Sequence, residues 1–425
     1  MMINYYNSDD QYHILILNQF FPPDYAPTGQ LIEELAIALS EKGMKVRVFS
    51  GQPAYAFDTK EAPRDEIIKG VNIKRTRSSR VWPDRIRGKA VNSILFFIRA
   101  FFHLIRYQKT DDLLIITTAP AFMTWLGFFA HLIWRKKYIC IIYDLYPNIL
   151  YQLKVLPKNH AIVKLWGILN HHTWINAQEI IVLSDSMKKR IIESCPSIKH
   201  KITVVHNWAD GNMIKPLNKE DNWFAQQYGL HTKFTIIYSG NMGRCHDMDT
   251  IISAAYLLTE YQDNFQFLFI GSGAQQKPLK DKMDKLGLKN VLFLPYQKKE
   301  ILPYSLTACD ISLISIAEDM DGVVAPSKLY STLAAGNVVG VICPETSFLT
   351  QLVVKAQCGE SFRNGDAEGL ANFFLNLYHN KKLCEKMGYN ARQYFCNNFS
   401  KNIAVDKYME IIEGIRYESK KYPHR

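Results

Sequence analysis

Short runs of apolar residues alternate with amphipathic stretches along most of the chain. The runs at 13–18 and 45–50 predict buried parallel strands, because they are short, apolar and bounded by loop-forming residues. Between them, residues 30–41 carry leucines at helical spacing, and Gly43 follows as a stop signal. This succession predicts a βαβ unit whose first loop lies at the carboxyl edge of a parallel sheet.

The same alternation continues beyond this unit, except at 209–222, where the periodicity lapses and Pro216 interrupts the chain. Further strands are predicted at 71–76, 112–117, 137–143, 179–183, 202–205, 234–238, 265–270, 291–294, 311–316 and 338–342. We therefore predict an α/β protein with two Rossmann-like, doubly wound parallel sheets that face each other across a ligand-binding cleft. The expected domains are 1–210 and 211–395, followed by a C-terminal helix, 396–425, that packs back on the N-terminal domain.

The stretch 322–336 lies between two predicted strands and begins in a loop that contains glycine, proline and serine. Ser327 is expected to cap a short helix, and Gly336 to end it in a left-handed conformation. Free N–H groups at the start of that helix, with Lys328 in its first turn, suit a phosphate or a sugar hydroxyl. An ordinary strand–loop–helix turn with a surface lysine fits the local pattern equally well.

The composition favours anionic partners. The chain of 425 residues contains 51 lysines and arginines against 40 acidic residues, a net charge of +11. No sequence signature of a nucleic-acid-binding module accompanies this charge. Eight scattered cysteines without a close CxxC pair predict reduced thiols rather than a disulfide framework or a metal site.

Two features bear on membranes. Residues 1–11 are polar and lack the order of a signal peptide, and no uncharged apolar run reaches the roughly eighteen residues of a membrane span. The segment 74–89 holds seven basic residues and one acidic residue, and it leads into a helix rich in phenylalanine. This order is typical of a protein that lies on an anionic bilayer, although a solvated loop before a buried helix gives the same pattern.

Several motifs, taken in order, resemble those of the retaining glycosyltransferases of family 4, which have the GT-B fold. The matching pieces are Phe21-Pro22-Pro23, Thr28-Gly29, Asp144-Leu145-Tyr146-Pro147, Val205-His206-Asn207, the stretch 238–244, Ile270-Gly271-Ser272-Gly273, Pro326-Ser327-Lys328-Leu329-Tyr330, Ala334-Ala335-Gly336 and the stretch 387–392. Within the family, the chain looks like the sugar transferases of bacterial capsule, O-antigen and exopolysaccharide assembly.

The resemblance implies an acceptor-binding N-terminal domain and a C-terminal domain that binds the nucleotide sugar. Catalytic roles are implied for Asp144, Arg244 and Lys328. Donor-binding roles are implied for Gly29, Gly240, Asn241, Gly243, Arg244, His246, Gly271, Gly273, Pro326, Ser327, Lys328, Leu329 and Ser331. Contacts with the sugar or the acceptor are implied for Thr28, Tyr143, Asp144, Asp321 and Val323.

The chain departs from the family pattern at three places. The usual pair of glutamates falls on Val323 and Ser331, and the usual histidine after an N-terminal strand falls on Tyr143. The usual arginine and lysine of the phosphate loop fall on Asn241 and His246, with Arg244 between them. These changes look like a subgroup pattern.

The function that the resemblance implies is transfer of a sugar from a UDP- or GDP-sugar to a lipid-linked oligosaccharide, with retention of configuration. Because Arg244 and Lys328 are implied to neutralise the diphosphate, no metal and no cofactor is expected. The implied location is the cytoplasm, peripherally on the inner face of the plasma membrane. Two alternatives stay open: a nucleotide-sugar epimerase of the same fold, and a silent sugar-nucleotide-binding subunit, which the changes at Val323 and Ser331 suggest.

Overall fold

The structure is a computed structural model that describes residues 12–24, 26–53, 61–77, 86–107 and 111–421. It divides into two compact units. Unit 1 comprises residues 1–205 and 405–425, and unit 2 comprises residues 206–404. These limits lie at 205/206 and 404/405, whereas the sequence predicted 210/211 and 395/396.

Unit 1 is built on an eight-stranded sheet. Its strands are β1 His13–Leu17, β2 Lys45–Ser50, β3 Asp65–Ile68, β4 Val71–Arg75, β5 Leu113–Thr117, β6 Lys137–Ile142, β7 Glu179–Val182 and β8 Ile202–Val204. They lie in the order β3-β4-β2-β1-β5-β6-β7-β8, with every pair parallel except β3 and β4. The helices before unit 2 are α1 Pro27–Glu41, α2 Ile86–Tyr107, α3 Trp125–Trp134, α4 Asn148–Gln152, α5 Ala161–Asn176 and α6 Asp185–Ser194.

Unit 2 is built on a six-stranded parallel sheet. Its strands are β9 Phe234–Ser239, β10 Phe265–Ile270, β11 Val291–Leu294, β12 Ile311–Ser315, β13 Val338–Ile342 and β14 Gly359–Phe362, in the order β11-β10-β9-β12-β13-β14. Its helices are α7 Trp223–Gln227, α8 Asp249–Leu257, α9 Gln276–Lys285, α10 Leu302–Leu306, α11 Lys328–Ala334, α12 Phe348–Ala356, α13 Ala367–His379 and α14 Lys381–Asn398. The last helix, α15 Lys401–Lys421, begins in unit 2 and continues in unit 1.

The central strands are apolar throughout because helices cover both faces of a parallel sheet. Every residue of β5, β12 and β13 is buried. The prediction of two doubly wound α/β sheets is confirmed, and each predicted strand is present to within a residue or two. The sequence missed β3, which is half polar, and β14, whose sequence Gly-Glu-Ser-Phe carries little apolar signal.

Each sheet has one point at which its strand order reverses. In unit 1, β1 pairs with β2 on one side and with β5 on the other. In unit 2, β9 pairs with β10 on one side and with β12 on the other. Loops diverge at such a point, and the crevice at the carboxyl ends of its strands is where open α/β sheets bind ligands. The loops after β9 and β12 are therefore the first place to look for a site.

The helix α2 bears on the membrane expectations. Its residues Ala90–Tyr107 form a helical segment that is long and apolar enough to cross a membrane, by length and composition alone. From the sequence, the apolar stretch 91–105 comes close to the length of a span, but it was set aside because Arg99 and His103 interrupt it.

The basic segment before α2 is only partly described. Its residues Arg80 and Arg85 lie outside the described residues, as does the polar stretch 1–11. Arg75, which was counted among its surface charges, is buried in β4, pairs with Glu66 and donates to the Pro63 carbonyl at 2.9 Å. It is therefore not available to a membrane surface.

Candidate active site

Two glycine-containing loops of unit 2 meet backbone to backbone at the switch point. Gly240 follows β9 and Gly271 follows β10, and both have positive φ values, +136° and +129°. A Cβ atom on Gly271 would lie 2.2 Å from the Gly240 carbonyl oxygen, so no other residue fits there. The Gly240 N–H donates to the Ile270 carbonyl at 2.8 Å, which ties the loop after β9 to the end of β10.

Further contacts fix the loop that follows Gly240. The Gln275 side chain donates to the carbonyls of Gly243 at 2.5 Å and His246 at 2.9 Å. A Cβ atom on Gly273 would lie 2.4 Å from the Met242 carbonyl oxygen, so this turn also requires close backbone approach. The predicted donor-binding residues Gly240, Gly243, Gly271 and Gly273 thus lie in two loops that close backbone packing and hydrogen bonds hold together.

Lys328 reaches this loop pair from the start of α11. Its Nζ atom lies 3.5 Å from the centroid of the Tyr238 ring, and its Cε atom would lie 3.3 Å from a Cβ atom on Gly240. The amine is buried and has no hydrogen-bond partner among the described residues. Burial holds the pKa of Lys328 well below its usual value. The alternative of an ordinary surface lysine is therefore wrong.

His246 is neutral in this setting. Its Nδ1 atom lies 2.5 Å from the Ser315 carbonyl oxygen, so Nδ1 carries the proton and Nε2 is left as an acceptor. Burial, and secondarily the charge of Lys328, lower the pKa of His246 to about 3. The ring therefore does not supply the positive charge that the family resemblance implies at this position.

Arg244 and Asn241 are the exposed members of the loop after β9. The amide of Asn241 lies against the two turns: its Oδ1 atom would be 2.7 Å from a Cβ atom on Gly273. The Asn241 carbonyl accepts a hydrogen bond from the Tyr238 hydroxyl at 3.0 Å. Tyr238 therefore fixes this loop with its hydroxyl while its ring face receives the Lys328 amine.

The segment around α11 departs from the sequence expectation at Ser327. This residue stands at the N-cap position, but its hydroxyl makes no capping hydrogen bond, since its backbone is already helical. Pro326 and Leu329 are buried, and the Ser331 hydroxyl donates to the Lys328 carbonyl at 3.1 Å. Gly336 follows with φ of +72°, which confirms the predicted left-handed stop.

Val323 and Asp321 make packing and hydrogen-bond contacts that stabilise the loop after β12. Val323 is completely buried and its N–H donates to the Met320 carbonyl at 3.0 Å, so neither its side chain nor its N–H is available to a sugar. Asp321 accepts a hydrogen bond from Ser347 at 2.7 Å, at the N-cap of α12. The implied sugar contact of Val323 is therefore wrong for this arrangement.

In unit 1, Asp144 follows β6 after one intervening residue, Tyr143. Its side chain is half-buried, and burial raises the pKa of its carboxyl group to about 6. The N–H groups of Tyr143 and Asp144 donate to the Thr118 hydroxyl, at 3.0 Å and 3.4 Å. Tyr143 itself is buried, which raises the pKa of its phenol. These contacts hold the backbone at the end of the strand.

Thr28 and Gly29 lie in the first turn of α1, not in the preceding loop as the sequence suggested. A Cβ atom on Gly29 would come within 3.1 Å of the Phe20 backbone and 3.2 Å of the Phe21 nitrogen. Close packing of α1 against residues 20–21 therefore already accounts for this glycine.

Sequence reasoning missed the groups that position the named residues. Tyr238 was placed in a predicted strand and in a family motif, Ser315 within a predicted strand and Thr118 just after one, but none of the three was given a role. The Ser315 hydroxyl accepts from the Asp247 N–H at 2.7 Å, which joins the loop after β9 to β12. A polar residue at the last position of a buried strand was the available signal. Within the described ranges, no group of three or more metal-ligating side chains occurs.

Both halves of the chain match known protein families. Residues 28–211 match the family model described as Glycosyltransferase Family 4, and residues 219–394 match the one described as Glycosyl transferases group 1. Together these matches support a glycosyltransferase of family 4 and the GT-B class.

Individual relatives agree with this class. The chain is 24% identical over 322 residues to a probable glycosyltransferase, WbjE, from Pseudomonas aeruginosa, which covers 73% of this chain and 74% of that protein. It is 23% identical over 357 residues to WcaI of Escherichia coli (strain K12), a glycosyl transferase named for colanic acid biosynthesis, with 80% and 85% covered.

Solved structures share the fold. Sucrose-phosphate synthase from Thermosynechococcus elongatus superposes with a TM-score of 0.77 at 15% identity, covering 96% of this chain and all (100%) of that one. Anabaena Alr3699/HepE, crystallised with UDP and glucose, gives a TM-score of 0.70 at 15% identity, covering 95% and 100%.

Proposed function

We propose that this glycosyltransferase moves a sugar from a UDP- or GDP-sugar to a lipid-linked glycan acceptor during cell-surface polysaccharide synthesis, with retention of configuration. The colanic acid name of WcaI supports the polysaccharide, and the UDP and glucose bound to HepE support the donor class. We place the enzyme in the cytoplasm, peripherally on the inner face of the plasma membrane.

The buried amine of Lys328 is the observation that carries this proposal. An uncompensated cation away from water is costly, and proteins keep one where an anion completes the site. The amine lies beside Gly240 at the switch point of a parallel sheet, where an open α/β sheet receives its ligand. A diphosphate is an anion that matches both the charge and the place.

The residues around Lys328 define how the donor would react. Negative charge builds on the leaving nucleoside diphosphate in the transition state, so a fixed cation lowers the barrier most at that stage. Lys328 supplies one positive charge and Arg244, on the adjoining loop, supplies a second. His246 offers an acceptor nitrogen to a hydroxyl instead of a charge. With two cations at the diphosphate, the proposal includes no metal and no cofactor.

On the acceptor side, we assign Asp144 to orient the acceptor hydroxyl. A carboxyl group with a raised pKa binds a hydroxyl as a hydrogen-bond acceptor once it is ionised. For a retaining transfer, we propose attack on the same face from which the leaving group departs, with the leaving phosphate taking the acceptor proton. Asp144 then positions the nucleophile and does not itself form a bond to the sugar.

Incubation with a panel of UDP- and GDP-sugars tests the proposal, with release of UDP or GDP as the readout. We expect slow release without acceptor, because water replaces the acceptor hydroxyl, and faster release with a lipid-linked glycan. Formation of an isomeric nucleotide sugar without acceptor would instead favour the epimerase. Donor binding without turnover on any acceptor would favour a silent subunit, and neither binding nor release across the panel would contradict all three.

A further inference from the structure

The helix α2 presents one apolar stripe to solvent and another to the core of unit 1. The exposed apolar residues Val91, Ile94, Ile98, Phe102 and Ile105 recur at intervals of three and four and therefore share one side of the helix. The other side is packed: Phe96 stacks on Phe49 at 5.8 Å and His103 stacks on the same ring at 4.2 Å.

Two neighbouring helices also expose apolar residues. The helix α3 packs against both α2 and α5. It exposes Leu132 and Ile133 near its end, and α5 exposes Ile162, Leu165 and Ile168. We call the exposed apolar residues of these three helices the three-helix face. A group of exposed apolar residues on packed helices favours an interaction site, in contrast to single exposed apolar residues.

The charge of the three helices is one-sided. They contain 22, 10 and 16 residues, and none of these residues is aspartate or glutamate. The basic residues of the three helices are Arg87, Lys89, Arg99, Arg106 and Lys164. Arg106 and Lys164 are exposed and adjoin Ile105 and Leu165 in sequence, and Arg135 is exposed directly after α3. An apolar face bordered by basic residues alone is complementary to an anionic lipid surface.

We propose that the three-helix face binds the surface of an anionic lipid bilayer, with α2 lying along the interface. The stacking of Phe96 and His103 on Phe49 ties one side of α2 into unit 1, so insertion of its exposed stripe alone is consistent with this packing. A second copy of the chain is the weaker occupant, because two such faces would bring like charges together.

This surface deepens the proposed function and rests on it, since a lipid-linked acceptor reaches the enzyme from a bilayer. Aromatic rings connect the helix α2 to the loop that contains Asp144. The Phe97 ring of α2 lies 5.4 Å from Phe122, Phe122 lies 6.0 Å from Trp166 of α5, and Trp166 stacks on Tyr146 at 5.7 Å. Tyr146 is two residues from Asp144. An acceptor head group held at the bilayer surface would thus meet a path of rings that ends beside the proposed acceptor residue.

Co-sedimentation of the full chain with vesicles tests this surface. One set contains phosphatidylcholine alone and the other an equimolar mixture of phosphatidylcholine and phosphatidylglycerol. We expect binding to the mixed vesicles that weakens as salt is added, because the basic rim is screened. Phe102→Glu and Leu165→Glu replace side chains that are 63% and 57% exposed, so they should leave the fold intact and each lower the partition coefficient at least about tenfold.

Val354→Glu is the matched control, since Val354 is 71% exposed on α12 of unit 2. Equal vesicle binding by Phe102→Glu, Val354→Glu and the wild type would overturn the proposal, as would no binding of the wild type to mixed vesicles. A wild-type dimer in sedimentation velocity that Phe102→Glu dissociates would assign the face to a second copy instead.

Donor release separates this surface from the proposed function. Phe102→Glu should release UDP or GDP without acceptor at the wild-type rate, while transfer to a vesicle-embedded acceptor falls with the loss of binding. Vesicle binding by a protein that turns over no donor would keep the surface and reject the proposed function. Donor turnover with no vesicle binding would support donor use by the enzyme and reject the lipid-binding surface.

Discussion

The two sheets carry ionisable groups of opposite sign at their carboxyl edges, and the surroundings of the two groups differ. In unit 2, Lys328 lies over an aromatic ring beside two loops whose glycines bring backbone against backbone. In unit 1, Asp144 follows a strand end whose backbone is held by one threonine hydroxyl. Burial lowers the pKa of Lys328 and raises that of Asp144, so each group is shifted toward its neutral form.

This difference teaches what each edge is suited to do. A rigid pair of loops with a buried cation suits one fixed anionic group, and the geometry leaves little freedom for other ligands. A single carboxyl group at a less constrained edge suits a hydroxyl, which can approach from more than one direction. The contrast predicts that changes in unit 2 act on the donor, whereas changes in unit 1 act on transfer to the acceptor.

Removal of the Lys328 charge is expected to have the largest effect. Lys328→Met keeps the apolar stem over Tyr238 but removes the cation from the leaving diphosphate, so donor turnover should fall about a hundredfold or more. The unliganded variant should be at least as stable as the wild type, because a buried amine without a hydrogen-bond partner is gone. Rates of UDP or GDP release and chemical denaturation measure the two effects.

Lys355→Met is the control, since Lys355 is exposed on α12 of the same unit. It should leave both donor turnover and stability unchanged. Donor turnover by Lys328→Met at the wild-type rate would contradict the assignment of Lys328 to the donor diphosphate.

Gly271→Ala tests the contact between the two loops of unit 2. The new Cβ atom would lie 2.2 Å from the Gly240 carbonyl at a φ of +129°, so the loops must separate. We expect a loss of about 2–4 kcal/mol in the free energy of unfolding, together with weaker donor binding. Chemical denaturation and calorimetric titration with UDP measure these quantities.

Gly287→Ala separates backbone strain from the clash. Gly287 also has a positive φ, +69°, but a Cβ atom there would meet nothing within 4 Å. It should cost only about 1 kcal/mol and leave UDP binding intact. Equal costs for the two alanine variants would show that the loop contact contributes nothing.

Asp144→Asn tests the acceptor side. We expect transfer to the acceptor to fall about tenfold or more, while release of UDP or GDP to water stays near the wild-type rate, because the donor lies with unit 2. Loss of both activities in parallel would contradict this division. Glu193→Gln, which alters an exposed carboxylate of unit 1, should change neither activity.

The raised pKa of Asp144 predicts that the stability of Asp144→Asn relative to the wild type depends on pH. The folded state raises the pKa of Asp144 from 3.8 to about 6, so the folded protein binds more protons than the unfolded chain between those values. The wild type therefore loses stability as the pH rises through this window, and it bears the cost of a buried carboxylate above it. After a reduction for solvent screening of this half-buried group, the free energy of unfolding of Asp144→Asn should exceed that of the wild type by ~1–2 kcal/mol at about pH 8. At about pH 3 the two proteins should be equally stable. A gain that is independent of pH would contradict the assignment.

The smallest expected effect is proton uptake on donor binding. The pKa of Lys328 is low in the free protein and must rise when a diphosphate pairs with the amine, so binding takes up protons at a pH between the two values. Calorimetric titration with UDP in buffers of different ionisation enthalpy measures this uptake. An observed enthalpy that does not depend on the buffer would show that Lys328 keeps its charge without the ligand.

The sequence predicted the sheets well because buried parallel strands are apolar throughout, as in β5 and β12. It did not predict β3, whose residues Asp65 and Glu66 lie on the edge of the sheet and hide the apolar pattern. Boundaries were least certain where helices begin, since Pro27 starts α1 three residues before the expected position.

The sequence identified residues of the candidate site, but it did not predict the contacts that surround them. Motif order identified Lys328 and His246, yet the partners that set their ionisation come from other strands: Tyr238 from β9 and Ser315 from β12. Val323 was named because it stands at the position of a usual glutamate of the family motif, whereas local packing places its side chain in the core. Ser327 was named as a cap because its residue type favours that role, which its helical backbone prevents. Local pattern carries no information on such long-range contacts.

Unit 1 is discontinuous in sequence, and its last helix arrives after the whole of unit 2. The C-terminal part of α15 buries Tyr408 and Ile412, and Lys137 in β6 donates to Ser419 at 2.6 Å. During synthesis on the ribosome, unit 2 is therefore complete before unit 1 receives its final element. Until α15 emerges, unit 1 leaves apolar surface uncovered, so a nascent chain stalled before residue 405 should depend on chaperones more than the finished protein does.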